Sequence, residues 1–272
     1  MGKKEKTRFL IVWLVITLVF LVGSFVVPSP EKTETVKVMM RDAVLHEENR
    51  CSFFGLMSVS PAMISAMVVS GCLLLAALLI RIFAIPRFKM VPGKFQSAIE
   101  LLVSTFDNLA KTNSPRRNSF LGVYAFGAGV YIFVGTLFEL FGVQVMTISG
   151  HSVSLPAPLS DVNAAISLGV LSYFVIFAGG ILGNGVKGIS LGLKKFSLPL
   201  SMSFRLFGAL LSGLLVTELV YYYASLSYVL PVIVAVLFTL LHALIQSYVL
   251  TLLTTMFYGE LNAPLPKKEK PA

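Results

Sequence analysis

The amino-acid sequence predicts an all-α polytopic membrane protein, and three observations favour this fold class. First, 56% of the 272 residues are hydrophobic and only 13% are charged, whereas about 25% of the residues in a typical soluble domain are charged. Second, six apolar segments each reach the length of about 20 residues that a helix needs to cross a bilayer. Third, Lys and Arg cluster in alternate connections between these segments. The predicted spans are approximately Phe9–Val27, Ser58–Phe83, Ser119–Val145, Val162–Val186, Phe196–Tyr223 and Pro231–Tyr258.

The first segment, residues 1–27, is either a membrane anchor or a cleaved signal peptide, because a basic start before an apolar run is common to both. Retention as an anchor is favoured, since the apolar run is longer than a usual signal core. Residues 28–57 then form an extracytoplasmic loop of mixed charge. Residues 58–272 form the membrane domain.

The distribution of basic residues predicts the orientation. They precede the first span, follow the sixth, and lie between the second and third and between the fourth and fifth. Residues 146–161 and the turn at 225–230 contain no Lys or Arg. The positive-inside rule therefore places both termini in the cytoplasm if the first helix is retained, and the form of the N-terminus suggests a bacterial plasma (inner) membrane. Topology explains the net charge of +9, and nucleic-acid binding is not expected.

An amphipathic helix is predicted at residues 92–112, between the second and third spans. Apolar residues recur there at helical spacing, and polar residues occupy the opposite side. We expect this helix to lie flat on the cytoplasmic membrane surface, to pack against the helix bundle, or to do both. The apolar positions are Phe95, Ile99, Leu102, Val103, Phe106 and Ala110.

The last two spans are predicted to form a long hairpin over residues 196–258. Pro199 and Pro231 suit the first turns of helices, where a missing N–H group costs nothing. The final segment of 28 residues would be about 42 Å long at 1.5 Å per residue, whereas the hydrocarbon core is about 30 Å thick. We therefore expect the helix to tilt, bend or protrude.

Arg205 is the most informative residue, because it places a permanent charge in the middle of an apolar helix. Such a charge costs roughly 2.5–3.5 kcal/mol on insertion scales and is expected to face a partner charge or a water-filled cavity. Ser201, Gly208 and Ser212 share its face at helical spacing, and small residues of this kind let another helix approach closely.

The chain offers Arg205 two intramembrane carboxylates, Glu139 and Glu218. Glu218 is 13 residues away, or about 20 Å along the same helix, and Glu139 lies toward the outer end of the third span. Neither is placed to pair with Arg205, which favours a partner outside the chain; ordinary packing with an internal salt bridge is the alternative.

In the sixth span, Gln246 and His242 share a face, and a hairpin would bring Gln246 close to Arg205. His242, Glu218 and Glu139 would all lie further outward. A lone buried histidine is most often a hydrogen-bonded core residue. Three ionisable groups in one half of an otherwise uncharged bundle instead indicate an aqueous path.

Four motifs, which follow the same order and topology, resemble the membrane-embedded a subunit of F-type ATP synthases over most of the chain after about residue 58. They are V-P-G-K-F-Q at 91–96 with E-L-L at 100–102, P-L-S-D-V-N at 158–163, S-F-R-L-F-G at 203–208, and I-Q-S-Y-V-L-T-L-L-T at 245–254.

The resemblance implies a subunit without a catalytic site, cofactor or metal of its own. In the family, the two final helices lie tilted against a rotating ring of c subunits, and b subunits form a peripheral stalk. Arg205 matches the family's stator arginine, which the ring carboxylates pass, and Gln246 matches a glutamine near it. Protons, or sodium ions in some relatives, enter and leave through two half-channels.

This sequence departs from the family pattern beside the arginine, where Ala209 and Leu214 replace an asparagine and a glutamate that family members often have. We infer a rearranged outer half-channel. Its candidate residues are Glu218, His242, Glu139, Asp161 and Asn163.

Two other function classes remain open at this point. A secondary transporter or ion exchanger could use Arg205 to bind an anionic substrate, although the halves of the chain show no repeat of the kind that many transporters have. An intramembrane hydrolase could use Ser201, Ser203 or Ser212, but none of these serines lies in a G-x-S-x-G motif; the one match in the sequence, residues 188–192, is centred on Ser190. Co-purification with a small ring-forming protein would favour the ATP synthase interpretation over the transporter and hydrolase interpretations.

Overall fold

The computed structural model describes residues 3–26, 35, 37–38, 41, 51–53, 57–116, 119–146, 148, 152–222 and 233–264. The predicted turn at 225–230, Pro231, the basic C-terminal tail and most of the predicted loop 28–57 lie outside these residues. The α-helices are α1 (Lys3–Val26), α2 (Pro61–Leu79), α3 (Lys94–Asn113), α4 (Ser119–Phe138), α5 (Val162–Asn184), α6 (Val186–Lys194), α7 (Ser197–Tyr222) and α8 (Leu241–Asn262).

Short turns of other geometry adjoin several of these helices. A π-helical turn (Ile80–Ala84) and a 3-10 turn (Ile85–Arg87) continue α2, and a 3-10 turn (Glu139–Phe141) continues α4. A 3-10 turn (Pro158–Ser160) precedes α5, and a π-helical segment (Ala235–Leu240) precedes α8. Two antiparallel hairpins pair β1 (Cys51–Phe53) with β2 (Met57–Val59) and β3 (Gln144–Met146) with β4 (Ser152–Ser154).

Within the described residues, five helical segments are long and apolar enough to cross a membrane. They are Pro61–Arg87, Ser119–Phe141, Val162–Asn184, Ser197–Thr217 and Leu241–Asn262. They coincide with the second to sixth predicted spans and confirm a helical, multi-pass membrane protein. In α1 the apolar helix Thr7–Phe20 is shorter, and its role as anchor or signal stays a prediction.

The predicted ends of two spans were wrong because short hairpins adjoin the helices. The second span begins at Pro61 and not at Ser58, which pairs with Ser52 across the first hairpin. The third ends before Val145, because Gly142 has a φ of 58°, a left-handed conformation that ends helices. The chain then enters β3.

The connection between the fourth and fifth spans contains the short helix α6, which the sequence analysis did not predict. Gly185, with a φ of 58°, ends α5 and reverses the chain. Gly188 and Gly192 then allow α6 to lie against α5, where a side chain would collide with the Gly180 backbone or the Phe177 ring.

Helix α5 is the centre of the bundle, since α6, α7 and α8 all pack on it. Glycines permit the close approach: a side chain at Gly169 would collide with Ser203 of α7, and one at Gly179 with the Tyr258 ring of α8. Helices α7 and α8 share few contacts with each other. The predicted C-terminal hairpin is therefore held together largely through α5.

The predicted amphipathic helix is α3, and it packs along α4 and touches α8. The Phe106 ring meets the Phe126 ring edge-on at 5.9 Å, and Asn113 Nδ2 donates to Thr255 Oγ1 at 3.0 Å. Leu102 and Val103, nearer its start, are exposed. Packing against the bundle is thus observed, while contact with the membrane surface stays a prediction.

Candidate functional site

Arg205 lies on the open side of α7. Met202, Leu206 and Leu210 are buried against the bundle. The four predicted face residues, Ser201, Arg205, Gly208 and Ser212, are all exposed. A side chain added at Gly208 would meet no atom within 4 Å. The described part of the chain therefore leaves the face around Arg205 uncovered.

The position of Arg205 is fixed by the packing of the preceding turn. The Ser203 hydroxyl donates to the Pro199 carbonyl at 2.7 Å, and both groups lie against Gly169 of α5. Because Gly169 has no side chain, α7 comes close to α5 at this level. The arginine two residues later is thereby held at a set height on the opposite side of the helix.

A narrow crevice joins Arg205 to Gln246. Its walls are Met202, Arg205 and Leu206 of α7 with Gln246, Leu250 and Leu253 of α8, and it has no room for a water-sized sphere. The sequence predicted that a hairpin of the last two spans would bring Arg205 and Gln246 close together. The arginine forms the outer wall, since it is exposed, while Gln246 is 6% exposed.

Neither side chain has a polar partner among the residues that the structure describes. No hydrogen bond or ion pair reaches the Arg205 guanidinium or the Gln246 amide there. An unpaired buried amide costs about 1–3 kcal/mol, and such groups are uncommon in folded proteins. Within the described residues, Arg205 therefore presents unused hydrogen-bond donors on the open face of α7, and the buried Gln246 amide lies directly behind it.

Several elements meet near Glu139 and His242, two of the residues predicted to line an aqueous path. The turn that begins at Glu139 contacts the π-helical segment that leads into His242, and α4 and α7 touch the same segment. Glu139 and His242 are half-buried. Glu218 belongs to the last turns of α7, where the structure describes its backbone but not its side chain.

Asp161, a further candidate, is engaged at both carboxylate oxygens. One accepts the Asn163 backbone N–H at 2.8 Å and caps α5. The other accepts the Ser60 hydroxyl at 2.9 Å and so ties the start of α5 to the start of α2. The Asn163 side chain is exposed. Here the structure gives Asp161 a capping function.

Sequence reasoning did not single out the contacts that fix the opposite ends of α7 and α8. Lys195 Nζ lies 2.8 Å from Glu260 Oε1 and 5.2 Å from the centre of the Phe257 ring. The Asn184 amide donates to the carbonyls of Leu261 and Ala263 at 2.8 Å each. The sequence signal that could have predicted this ion pair was a lone acidic residue, Glu260, in the last turn of an apolar helix, together with the basic connection that contains Lys195.

Within the described residues, no group of three or more His, Cys, Asp or Glu side chains could hold a metal ion. In a comparison with protein-family models, residues 64–259 match the family described as ATP synthase A chain. The matched region is more than half of the chain and includes Arg205, Gln246, Glu139, Glu218 and His242.

Proposed function

Because this chain belongs to the ATP synthase A chain family and is therefore the a subunit of an F-type ATP synthase, we propose that Arg205 is the stator charge that couples ion translocation to rotation of the c-ring. The observation that carries the proposal is a guanidinium on an open helix face, beside a buried amide, with no polar partner for either group among the described residues.

The coupling follows from elementary electrostatics. A c-ring carboxylate facing lipid is neutral and carries its ion, because desolvation disfavours the charged form. Beside Arg205 the ionised carboxylate is favoured, so the ion leaves at this point. The same positive charge opposes a direct passage of cations past the site. Ions would therefore cross only by riding on the ring.

Gln246 would assist in orienting the arriving carboxylate. Its amide can donate a hydrogen bond to one carboxylate oxygen while Arg205 holds the other. The crevice between the two side chains has no room for a water-sized sphere, so water does not compete for the buried Gln246 amide, whereas Arg205 itself lies on the exposed face. Ser201, Gly208 and Ser212 would let a ring helix come close to α7 at the same level.

The outer half-channel would follow the convergence of α4, α7 and the segment before α8. Glu139 and His242 support this route by position, and Glu218 would extend it along α7. Asn163 would line its mouth, with Asp161 holding the start of α5 there. The partners would be the c-ring and the b subunits, in a bacterial plasma (inner) membrane, with both termini cytoplasmic if the first helix is retained.

ATP-driven ion uptake into inverted membrane vesicles tests the stator role. In the assembled complex, we expect Arg205→Ala to abolish coupled uptake, because the ring carboxylates would lose the charge that favours their ionised form. Arg81→Ala is the matched control, since Arg81 is likewise an exposed arginine but lies in the turn that continues α2, away from α7. It should leave uptake unchanged.

Unchanged uptake in Arg205→Ala would remove the stator role and favour the exchanger reading, in which Arg205 binds an anionic substrate. The same assay addresses the outer half-channel: replacing Glu139, Glu218 and His242 together by leucine should block uptake. If that triple variant translocates ions normally, the proposed route is wrong, whatever the result for Arg205.

A further inference from the structure

A second cavity lies far along the chain from Arg205, at the bend between α2 and α3. It has a volume of about 580 Å³ and is lined by residues 84, 87–89 and 91–96. This falls within the range of roughly 300–1,000 Å³ that is typical of small-ligand sites. The bend begins at Arg87, where the apolar span Pro61–Arg87 ends. The cavity therefore lies at the level of the lipid headgroups.

The cavity is strongly basic. Arg87, Lys89 and Lys94 line it, and no acidic residue occurs in the sequence between Pro61 and Ile99. Within the part of the chain that the structure describes, none of these three side chains forms an ion pair. Three like charges converge on one concave surface without an internal counterion.

The loop that forms the cavity is held in shape by one side chain. The Gln96 amide accepts a hydrogen bond from the Lys89 backbone N–H at 3.0 Å and donates one to the Lys89 carbonyl at 2.9 Å. A third bond, from Gln96 Nε2 to Glu100 Oε1 at 2.7 Å, fixes the rotamer of Gln96. The cavity is thus preformed, which lowers the entropy cost of binding.

Apolar residues complete the lining and point to a lipid. Val91 and Phe95 line the cavity and are 84% and 62% exposed. Met90 beside them is also exposed, as are Ile82 and Phe83 in the π-helical turn that continues α2. A ligand with a phosphate beside an acyl chain matches this juxtaposition of cations and apolar surface. An acidic peptide would match the cations but would leave the apolar surface uncovered.

We propose that the cavity formed by residues 87–96 binds the phosphate-bearing headgroup of an anionic phospholipid, with Lys89 and Lys94 contacting the phosphate and the acyl chains lying along α2. The site anchors the bend between α2 and α3 to the membrane surface. It is independent of ion translocation by Arg205.

Photo-cross-linking in the assembled complex tests the site. The complex is placed in phosphatidylcholine nanodiscs with a photoactivatable phosphatidylglycerol, and the label on residues 82–103 is measured by mass spectrometry. We expect unlabelled phosphatidylglycerol to compete, and phosphatidylcholine and inorganic phosphate not to compete. Each basic residue contributes roughly fivefold to binding at an anionic surface. Lys89→Gln/Lys94→Gln should therefore weaken binding by roughly 25-fold.

Two further variants make the result specific. Lys187→Gln/Lys194→Gln in α6 removes the same charge from another exposed basic region and should leave the labelling of residues 82–103 unchanged. Gln96→Ala keeps every cation but loses the loop clamp, and should also reduce labelling. Subunit composition, measured on the same samples, verifies that each complex is intact.

Several outcomes would overturn the proposal. Equal labelling in Lys89→Gln/Lys94→Gln and the wild type would show that the cavity does not select the lipid. Competition by inorganic phosphate would make it a free-phosphate site. Loss of the peripheral-stalk subunits with labelling unchanged would make it a protein-docking surface.

Discussion

Two adjoining regions of α8 treat buried polar groups in opposite ways. Ser247 and Gln246 are neighbours and are each 6% exposed. Ser247 faces the α4–α8 interface and donates to the Gly129 carbonyl at 2.8 Å. Gln246 faces the crevice beside Arg205, where its amide has no partner within the described residues. Ser247 and Gln246 are equally buried, and they differ only in the side of α8 that each side chain faces.

The α4–α8 interface shows what this chain does with polar groups that serve packing. The hydroxyls of Thr251, Thr254 and Thr255 all donate to carbonyls of their own helix. Backbone polar groups in a membrane must be satisfied internally, and these three hydroxyls likewise find acceptors within the chain. Arg205 and Gln246 differ from these hydroxyls, because neither has a polar partner among the described residues; the proposed contact with a carboxylate would account for this difference.

The largest effect is expected in the packed region, from Gly259→Ala in α8. The new methyl group would collide with the backbone carbonyl of Asn113, and overpacking costs about 1–3 kcal/mol. The free energy of unfolding in detergent should fall by that amount. Gly127→Ala is the control, because a side chain there meets nothing within 4 Å, and it should stabilise by about 0.5–1 kcal/mol. Equal unfolding free energies for both variants would contradict the close approach of α8 and α3.

Gln246→Leu should separate stability from function in the crevice. Removing a buried amide that lacks a partner should raise the free energy of unfolding by about 1 kcal/mol, while ATP-driven uptake falls. A simple packing residue would show the opposite pattern, with lower stability and uptake retained. A decrease in unfolding free energy would mean that the amide has a partner within the chain.

Ser247→Ala provides the smallest effect and completes the comparison. It removes one interhelical hydrogen bond, and such bonds contribute about 0.6 kcal/mol on average in membrane proteins. We expect slightly reduced stability and normal ATP-driven uptake. If Ser247→Ala impaired uptake as strongly as Gln246→Leu, the division between the packing side and the functional side of α8 would be wrong.

The sequence predicts the spans well because hydropathy is a local property of each segment. It missed α6, since this helix of nine residues contains glycines and lysines and resembles a loop in composition. It also missed the hairpins beside α2 and α4, whose three-residue strands are too short to show a period. The left-handed Gly142 that ends the third span has no unique signature among the glycines of the chain.

The site was predictable as far as helix periodicity reaches. The common face of Ser201, Arg205, Gly208 and Ser212 follows from 3.6 residues per turn, and the structure exposes all four. The capping function of Asp161 could also have been predicted from the sequence, because an aspartate directly before an apolar run is a typical helix N-cap. The Gln96 clamp and the role of α5 between α7 and α8 were not, because they depend on contacts between distant parts of the chain.

The open face of α7 has a consequence for biogenesis. Until a partner covers Arg205, its charge must face lipid or distort the bilayer, at a cost of roughly 2.5–3.5 kcal/mol at mid-membrane depth. A newly inserted chain would thus carry a penalty that a carboxylate-bearing neighbour would relieve. If Arg205 has the proposed stator role, the same charge would also favour assembly, since it makes the unassembled subunit the less favourable state.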